Sequence, residues 1–342
     1  MRILSPQCRV PRFVESAPWG IRKNISHVKA IHQSPEYAYQ YNTNSAGFRG
    51  TDEYSIKRPD GVIRIMVQGD SVTLGHGVQD EETYPALLQK RLREKEIHAE
   101  VINMGVSGFG TAEELIQFQN DGLRYQPDIV ILGYFQNDDI NNRVSQLYHI
   151  KNGVLERDKT RFDPGIYIRD RLHAIPLYGY LSQHSHLLTY VRNRVSHAVL
   201  TRLRKKTLDE KTDTSGGRTP DAKVSKLTEL LLQEYAKAVT ANVPQLVIVD
   251  IVDKNLSSDF PYSVKFTRNT EVVSTYHAFK NKMENGIAVY YDKDSHPTRE
   301  GHETICESLL PVVEQMIAAT KPATANLPHS EKQRTGNAEH PS

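Results

Sequence analysis

The sequence predicts an α/β protein, a three-layer α/β/α sandwich built on a parallel sheet, and three observations carry that prediction. Short apolar runs alternate with segments of helical period along most of the chain. Several of the runs are rich in Val, Ile and Leu, as strands covered on both faces are. Most of them end in Gly, Asn, Asp or Ser, the residues that turn a parallel strand into the next helix.

The first run covers residues 62–67 and is followed by a helix in "TYPALLQKRLREKE", where Pro85 fits the first turn because its missing N–H has no intrahelical partner there. "AEVINM" is a second strand, "TAEELIQFQNDGL" a helix and "DIVILGYF" a third, buried strand. "QLVIVDIV" and "GIAVYYD" are expected to be the fourth and fifth strands, preceded by helices in "KLTELLLQEYAKAVTA" and "TEVVSTYHAFKNKME".

Residues 1–58 read as an irregular or extended N-terminal extension, 59–319 as the main domain and 320–342 as a disordered tail. An insertion at about 143–224 separates the third and fourth strands, far longer than the two to six residues of an ordinary α/β loop. Within it, Leu187, Leu188, Val191, Val195, Val199 and Leu203 recur at helical spacing, with Arg192, Arg202, Arg204 and Lys205 on other faces. This basic amphipathic helix, about residues 187–206, suits packing on the domain, a lid, or contact with a membrane or an anionic polymer. The stretch "TLDEKTDTSGGRTPDAK" has almost no apolar content and is expected to be disordered.

Composition sets limits. The chain has 342 residues, 38% hydrophobic and 25% charged, with a net charge of +2, so nothing points to nucleic acid as a partner. No run reaches the length of a membrane span, and "MRILSPQCRVPRF" lacks the apolar core of an export signal, so a soluble, cytoplasmic protein is expected, or an envelope protein if the N-terminus is incomplete. The two cysteines, Cys8 and Cys306, have no metal-site spacing, and Cys306 falls on an apolar helical stripe with Leu309, Leu310 and Val313. With no His or carboxylate cluster at ligand spacing and no phosphate loop, neither metal nor cofactor is implied.

In a parallel sheet the loops leaving the C-terminal strand ends gather at one edge, where ligands bind. Those loops contain Gly69-Asp70-Ser71, then Asn103 through Gly108, then Gln136 through Asp139, then Asp292 through Pro297. Ester hydrolysis by serine needs a hydroxyl, a base, a carboxylate to orient the base, and donors for the oxyanion. Ser71, His296, Asp294, and the set of Ser71 N–H, Gly108 N–H and the Asn137 amide fill these roles. A Gly-Asp-Ser tripeptide arises by chance in roughly one chain in ten of this length, so the order of all four pieces has to decide.

That order resembles the SGNH hydrolases, the GDSL-type esterase and lipase superfamily. Its motif blocks match "GDS" with Ser71, "INMGVSGFG" with a glycine, "QND" with Asn137, and an aspartate and histidine before the last helix. "NSAGFRG", "GDSVTLGHGVQDEETYPALL", "GTAEELIQF" and "HPTREGHE" look like a bacterial branch of it. The resemblance implies a flavodoxin-like sheet of order 2-1-3-4-5, Ser71 as nucleophile, His296 as base oriented by Asp294, and Gly108 and Asn137 in the oxyanion hole, with Gly105 the second-choice glycine. It further implies acyl, notably acetyl or short-chain, esters, on carbohydrate in particular. A polysaccharide O-acyltransferase with the same triad, or a silent carbohydrate-binding domain, are the alternatives.

The chain departs from the pattern in two places. The usual D-x-x-H puts Lys293 where the aspartate stands, leaving Asp294 in D-x-H, a spacing found in polysaccharide acetyltransferase relatives, with Asp292 as fallback. Phe135-Gln136 replaces the glycine that often precedes the asparagine, which predicts a narrower oxyanion pocket. Asp70 is expected to shape the nucleophile turn, His302 to pack at the start of the final helix, and His76 and Gly77 to line the entrance or lie on a surface loop.

Overall fold

The computed structural model describes residues 12–161, 164–185 and 224–320 except residue 268, with single positions between 187 and 198. Strands β1 (Val14–Ser16) and β2 (Arg22–Asn24) form an antiparallel hairpin, as do β3 (Lys29–Gln33) and β4 (Ala38–Asn42). The extension is thus more ordered than its sequence suggested. Its alternating tyrosines turn Tyr39 and Tyr41 inward against Leu74, while Val14, Ile21 and Phe48 join the main core.

The central sheet is made of β5 (Ile63–Gly69), β6 (Ala99–Asn103), β7 (Ile129–Phe135), β10 (Gln245–Ile251) and β11 (Thr270–Ser274). All its pairings are parallel, and its order, β6-β5-β7-β10-β11, is the 2-1-3-4-5 arrangement. Strands β8 (Tyr148–Lys151) and β9 (Val154–Arg157) form a separate hairpin at the start of the insertion.

Alternation along each strand sorts its residues between two apolar layers. Met66, Ile102, Val130, Leu132 and Ile248 face a layer with α3 (Thr111–Asn120) and α7 (Lys226–Thr240). Ile65, Val67, Ile131, Val247 and Val249 face α2 (Tyr84–Glu94), α8 (Tyr276–Glu284) and α9 (Arg299–Thr320). Cys306 is buried in this second layer. Helices α5 (Pro164–His173) and α6 (Tyr178–His184) belong to the insertion, and α5 is tied to the N-terminal hairpin where Asp170 pairs with Arg12 at 2.9 Å and accepts the Ser16 amide at 3.0 Å.

The fifth strand differs from expectation. "TEVVS" was expected to begin a helix, yet it is β11, and the helix starts only at Tyr276. Its β-branched pair Val272-Val273 suits a strand, and Thr275 ends it by donating its hydroxyl to the Asp250 carbonyl at 3.0 Å. "GIAVYYD" is not a strand: β11 already occupies the edge beside β10, and the segment makes only an isolated bridge, Tyr290 to Pro297. Cys8, the end of the basic helix with Arg202 and Arg204, the stretch 207–223 and the tail after Thr320 lie outside the described residues. Among the described residues, no helix is long and apolar enough to cross a membrane.

A buried polar side chain locks the central strand. Gln68 Nε2 donates to Gln117 Oε1 at 2.6 Å and its Oε1 accepts Tyr235 Oη–H at 2.7 Å, joining β5 to α3 and α7. Gln68→Leu strands both partners in the core and should lower unfolding free energy by about 1–3 kcal/mol per orphaned group, read from denaturant titration.

Candidate active site

The strand β5 leads into a one-turn helix, α1 (Ser71–Leu74), at the C-terminal edge of the sheet. Asp70 is its N-cap: the buried carboxylate accepts the Val72 amide at 2.8 Å, the turn-shaping part expected of it. Burial pushes the Asp70 carboxyl up, while backbone N–H groups, Val72 foremost, and the charge of His296 oppose that rise. Ser71 therefore emerges, half-buried, at the first helical position.

The loop after β6 grips the same turn. Asn103 Nδ2 donates to the Thr73 carbonyl at 2.9 Å, and its Oδ1 accepts the Gly105 amide at 3.0 Å. Gly105 is needed for close approach, since a Cβ there would lie 2.4 Å from the Leu74 nitrogen. Gly108 has φ +78°, which favours glycine, and lies half-buried beside Arg22, whose Nη1 donates to the Ser107 carbonyl at 3.1 Å.

The segment before α9 brings His296 to the same edge. His296 Nε2 lies 2.8 Å from Ser71 Oγ, and His296 Nδ1 is hydrogen-bonded to Asp294 Oδ1. Because the carboxylate accepts the Nδ1–H hydrogen bond, Nε2 is the ring's acceptor and the Ser71 hydroxyl donates to it. Asp294 Oδ1 also accepts the backbone N–H of His296 at 3.1 Å, so the short D-x-H spacing reaches by bending back on its own residue. Burial raises the Asp294 carboxyl, but hydrogen bonds from His296 and Tyr37 and the His296 charge outweigh it and hold Asp294 well below the carboxylate range. Asp292 is exposed.

Asn137 is the first residue of α4 (Asn137–Ser145) and is exposed at the end of β7. β7 pairs with β5 so that Gly133 stands opposite Gly69, which brings the segments carrying Asn137 and Ser71 out of adjacent strands at one edge. Gln136 turns its amide to Asp253 Oδ2, 3.1 Å away, after β10. His302 is buried at the start of α9, and its Nδ1 accepts the Tyr84 amide at 3.2 Å.

Sequence reasoning missed the wall that the N-terminal hairpin builds around this pair. Tyr37 Oη donates to Asp294 Oδ2 at 2.7 Å and lies 3.0 Å from His76 Nε2. His76 packs its ring on His296, centroids 4.3 Å apart and planes at 33°. Arg49, in the "NSAGFRG" stretch, anchors the wall through an ion pair to Asp80 at 2.5 Å and packs over Tyr41. No local signal gives these contacts away, because Tyr37 and Asp294 are 257 positions apart. His76, Asp294 and His296 do offer ligand atoms within 4.8 Å of one another, a grouping the sequence spacing hid. Both ring nitrogens of His296 are already engaged there, Nδ1 with Asp294 and Nε2 with Ser71.

The GDSL-like lipase/acylhydrolase family model matches residues 67–304, spanning Ser71 to the start of α9. The chain belongs to that family. This GDSL hydrolase is accordingly a carboxylic ester hydrolase. Solved structures similar to it include a two-domain esterase active on acetylated mannans, at 14% identity and TM-score 0.42 over 76% of this chain and 51% of that one. An alpha/beta hydrolase from the metagenome of Lake Arreo, Spain, matches at 17% identity and TM-score 0.43, over 74% and 96%. An acetylxylan esterase from Geobacillus stearothermophilus matches at 14% and 0.41, over 73% and 93%. No curated protein matches the sequence.

Burial holds His302 neutral, lowering it from 6.5 to about 3, with Arg49 and His296 adding to the effect. The unfolded chain binds this proton below pH 6.5 while the folded chain does not until about pH 3, so this group's contribution to stability falls as pH drops through that window. Denaturant midpoints measured from pH 7 to pH 4 should fall in wild type and fall less in His302→Asn, whose amide oxygen keeps the Tyr84 bond.

Proposed function

We propose that this protein is a serine esterase that removes acetyl or other short acyl groups from a carbohydrate. The observation that supports it most is the continuous hydrogen-bonded line Ser71–His296–Asp294 at the C-terminal sheet edge. Ser71 Oγ attacks the ester carbonyl as His296 Nε2 takes its proton. The oxyanion is held by the amides of Ser71 and Gly108 and by the side-chain amide of Asn137. His296 then passes the proton to the leaving alcohol oxygen, leaving acyl-Ser71. Water, deprotonated by His296, attacks that ester and releases the acid and free Ser71.

The carbohydrate ester is the reading that the resemblance to a bacterial branch of the family suggests. The D-x-H spacing, which resembles polysaccharide acetyltransferase relatives, favours acyl transfer to a sugar hydroxyl as the alternative, since both share the acyl-serine. A silent binding domain is the third reading. p-Nitrophenyl acetate, butyrate and octanoate separate them. Hydrolysis should fade with chain length, Ser71→Ala should lower kcat by about 10⁴-fold or more, and Asn137→Ala by about 10²- to 10³-fold. A folded protein inactive on every ester but binding acetylated oligosaccharide would favour the binding domain.

The insertion supports a peripheral contact as well. Leu187, Val191 and Val195 occupy one helical stripe and are 58%, 49% and 56% exposed. Between Asp170 and Asp209 the sequence has seven Lys and Arg and no Asp or Glu. Apolar side chains within a segment whose charged residues are all Lys or Arg suit an anionic lipid surface, which offers both phases. Sedimentation with phosphatidylserine vesicles should exceed that with phosphatidylcholine, weaken in salt, and fall in Leu187→Asp/Val191→Asp. Equal binding to both vesicles, or to neither, would overturn the contact.

A further inference from the structure

The hairpin β3–β4 stands beside Asp294 and His296, and the carboxylate sets the direction of the hydrogen bonds nearest to it. Asp294 Oδ2 can only accept, so Tyr37 Oη donates to it at 2.7 Å. With its one proton spent, Tyr37 Oη must accept from His76 Nε2–H at 3.0 Å. His76 in that neutral tautomer has Nδ1 free to accept, and Tyr39 Oη lies 3.4 Å away as the donor. Tyr39 Oη also lies 2.8 Å from His32 Nδ1. The donors of His76 and Tyr37 both point toward Asp294.

We infer that Tyr37 and His76 are positioning residues for the His296–Asp294 pair, so that a hairpin preceding the family domain completes the catalytic apparatus. The inference rests on the triad reading given above. With Oδ1 taken by the ring and backbone of His296, Oδ2 is the only oxygen left to fix the carboxylate plane, and Tyr37 fixes it. The D-x-H turn, with only Ser295 between the two partners, gives the carboxylate no lever of its own, which is why a distant element holds it.

His76 has a second part. It covers one face of the His296 ring at 4.3 Å. A positive charge there would oppose the imidazolium that forms on His296 during attack. Burial, then the neighbouring His296 and His32, push His76 well below its ordinary value, against the pull of Asp294. Burial also lowers His32 to about 4. Both therefore stay neutral in the working range.

The groups facing Asp294 and His296 are Tyr37, His32 and Glu36 from the hairpin, His76 and Asp70 from the nucleophile turn, Arg49 behind His32, and Tyr291 and Lys293 from their own segment. Of these, Tyr37 alone donates to Oδ2. Removing it leaves the Asp294 charge turned wholly toward the imidazolium that forms on His296 during attack.

The test is kcat and KM on p-nitrophenyl acetate from pH 4.5 to 9, with the proton spectrum of the His296–Asp294 hydrogen bond recorded without substrate. Tyr37→Phe should lower kcat about 10-fold with little change in KM. It should also move the acid limb of kcat/KM upward by about half a unit and shift the low-field Nδ1 proton. His76→Leu, which deprives Tyr37 of its donor, should move the limb the same way, whereas His76→Gln, which can still donate an N–H to Tyr37, should stay near wild type. An acid limb and a low-field proton unmoved in Tyr37→Phe would reduce the hairpin to scaffolding and overturn the inference. Ser71→Ala run alongside keeps the two readings apart: full activity there would overturn the triad itself, while an inactive Ser71→Ala with an unmoved Tyr37→Phe overturns only the positioning role.

Discussion

The burial of Asp70 at the end of β5 is the constraint on which the rest of the site depends. A carboxyl group placed at the sheet edge with almost no water must be satisfied by the protein, and the amide of Val72 does so. That bond forces the chain to turn into α1 at once, which lifts Ser71 out of the sheet. The surroundings reinforce the turn. Asn103 clamps its Thr73 carbonyl, and Thr73 Oγ1 lies 2.8 Å from Tyr84 Oη on α2. Glu114 and Asp138 are buried nearby, and burial followed by neighbouring carboxylates pushes both well above the usual carboxylate range.

The site is assembled from segments that are far apart in the chain but share one edge of one sheet. Parallel pairing sends every strand's C-terminal end the same way, so Ser71 after β5, Gly108 after β6 and Asn137 after β7 converge without special arrangement. His296 needs more, because no strand of the sheet immediately precedes it. Its segment is positioned by the bridge from Tyr290 to Pro297 and by the packing of α9 against α2, where Ile305 and Leu309 meet Leu88 and Leu92. The placing of His296 beside Ser71 therefore depends on the second apolar layer as much as on the turn that follows β5.

The sequence made much of this legible, and for identifiable reasons. Strands buried on both faces announce themselves by runs rich in Val, Ile and Leu, which is why β5, β7 and β10 stood out, while α2, α3 and α7 showed a clean helical period. Ser71, His296 and Asp294 stood out because their order along the chain matches a family pattern. "TEVVSTYHAFKNKME" misled because a five-residue strand ending in Ser-Thr runs straight into a helix, and the combined apolar positions imitate one longer helical stripe. "GIAVYYD" misled because its tyrosines and alternation suit a strand, yet the place beside β10 is filled by β11.

By itself the sequence determined the fold class, the strand order through its family resemblance, and the identity of the residues at the sheet edge, since periodicity and motif order are properties of the linear chain. The tertiary structure alone decided that β11 fills the edge beside β10, that Asp294 reaches His296 by bending back on it, and that Tyr37 and His76 enclose the pair. Those facts rest on contacts between residues hundreds of positions apart, and such contacts are set by which surfaces remain unburied once the sheet has closed, a quantity that no local pattern encodes.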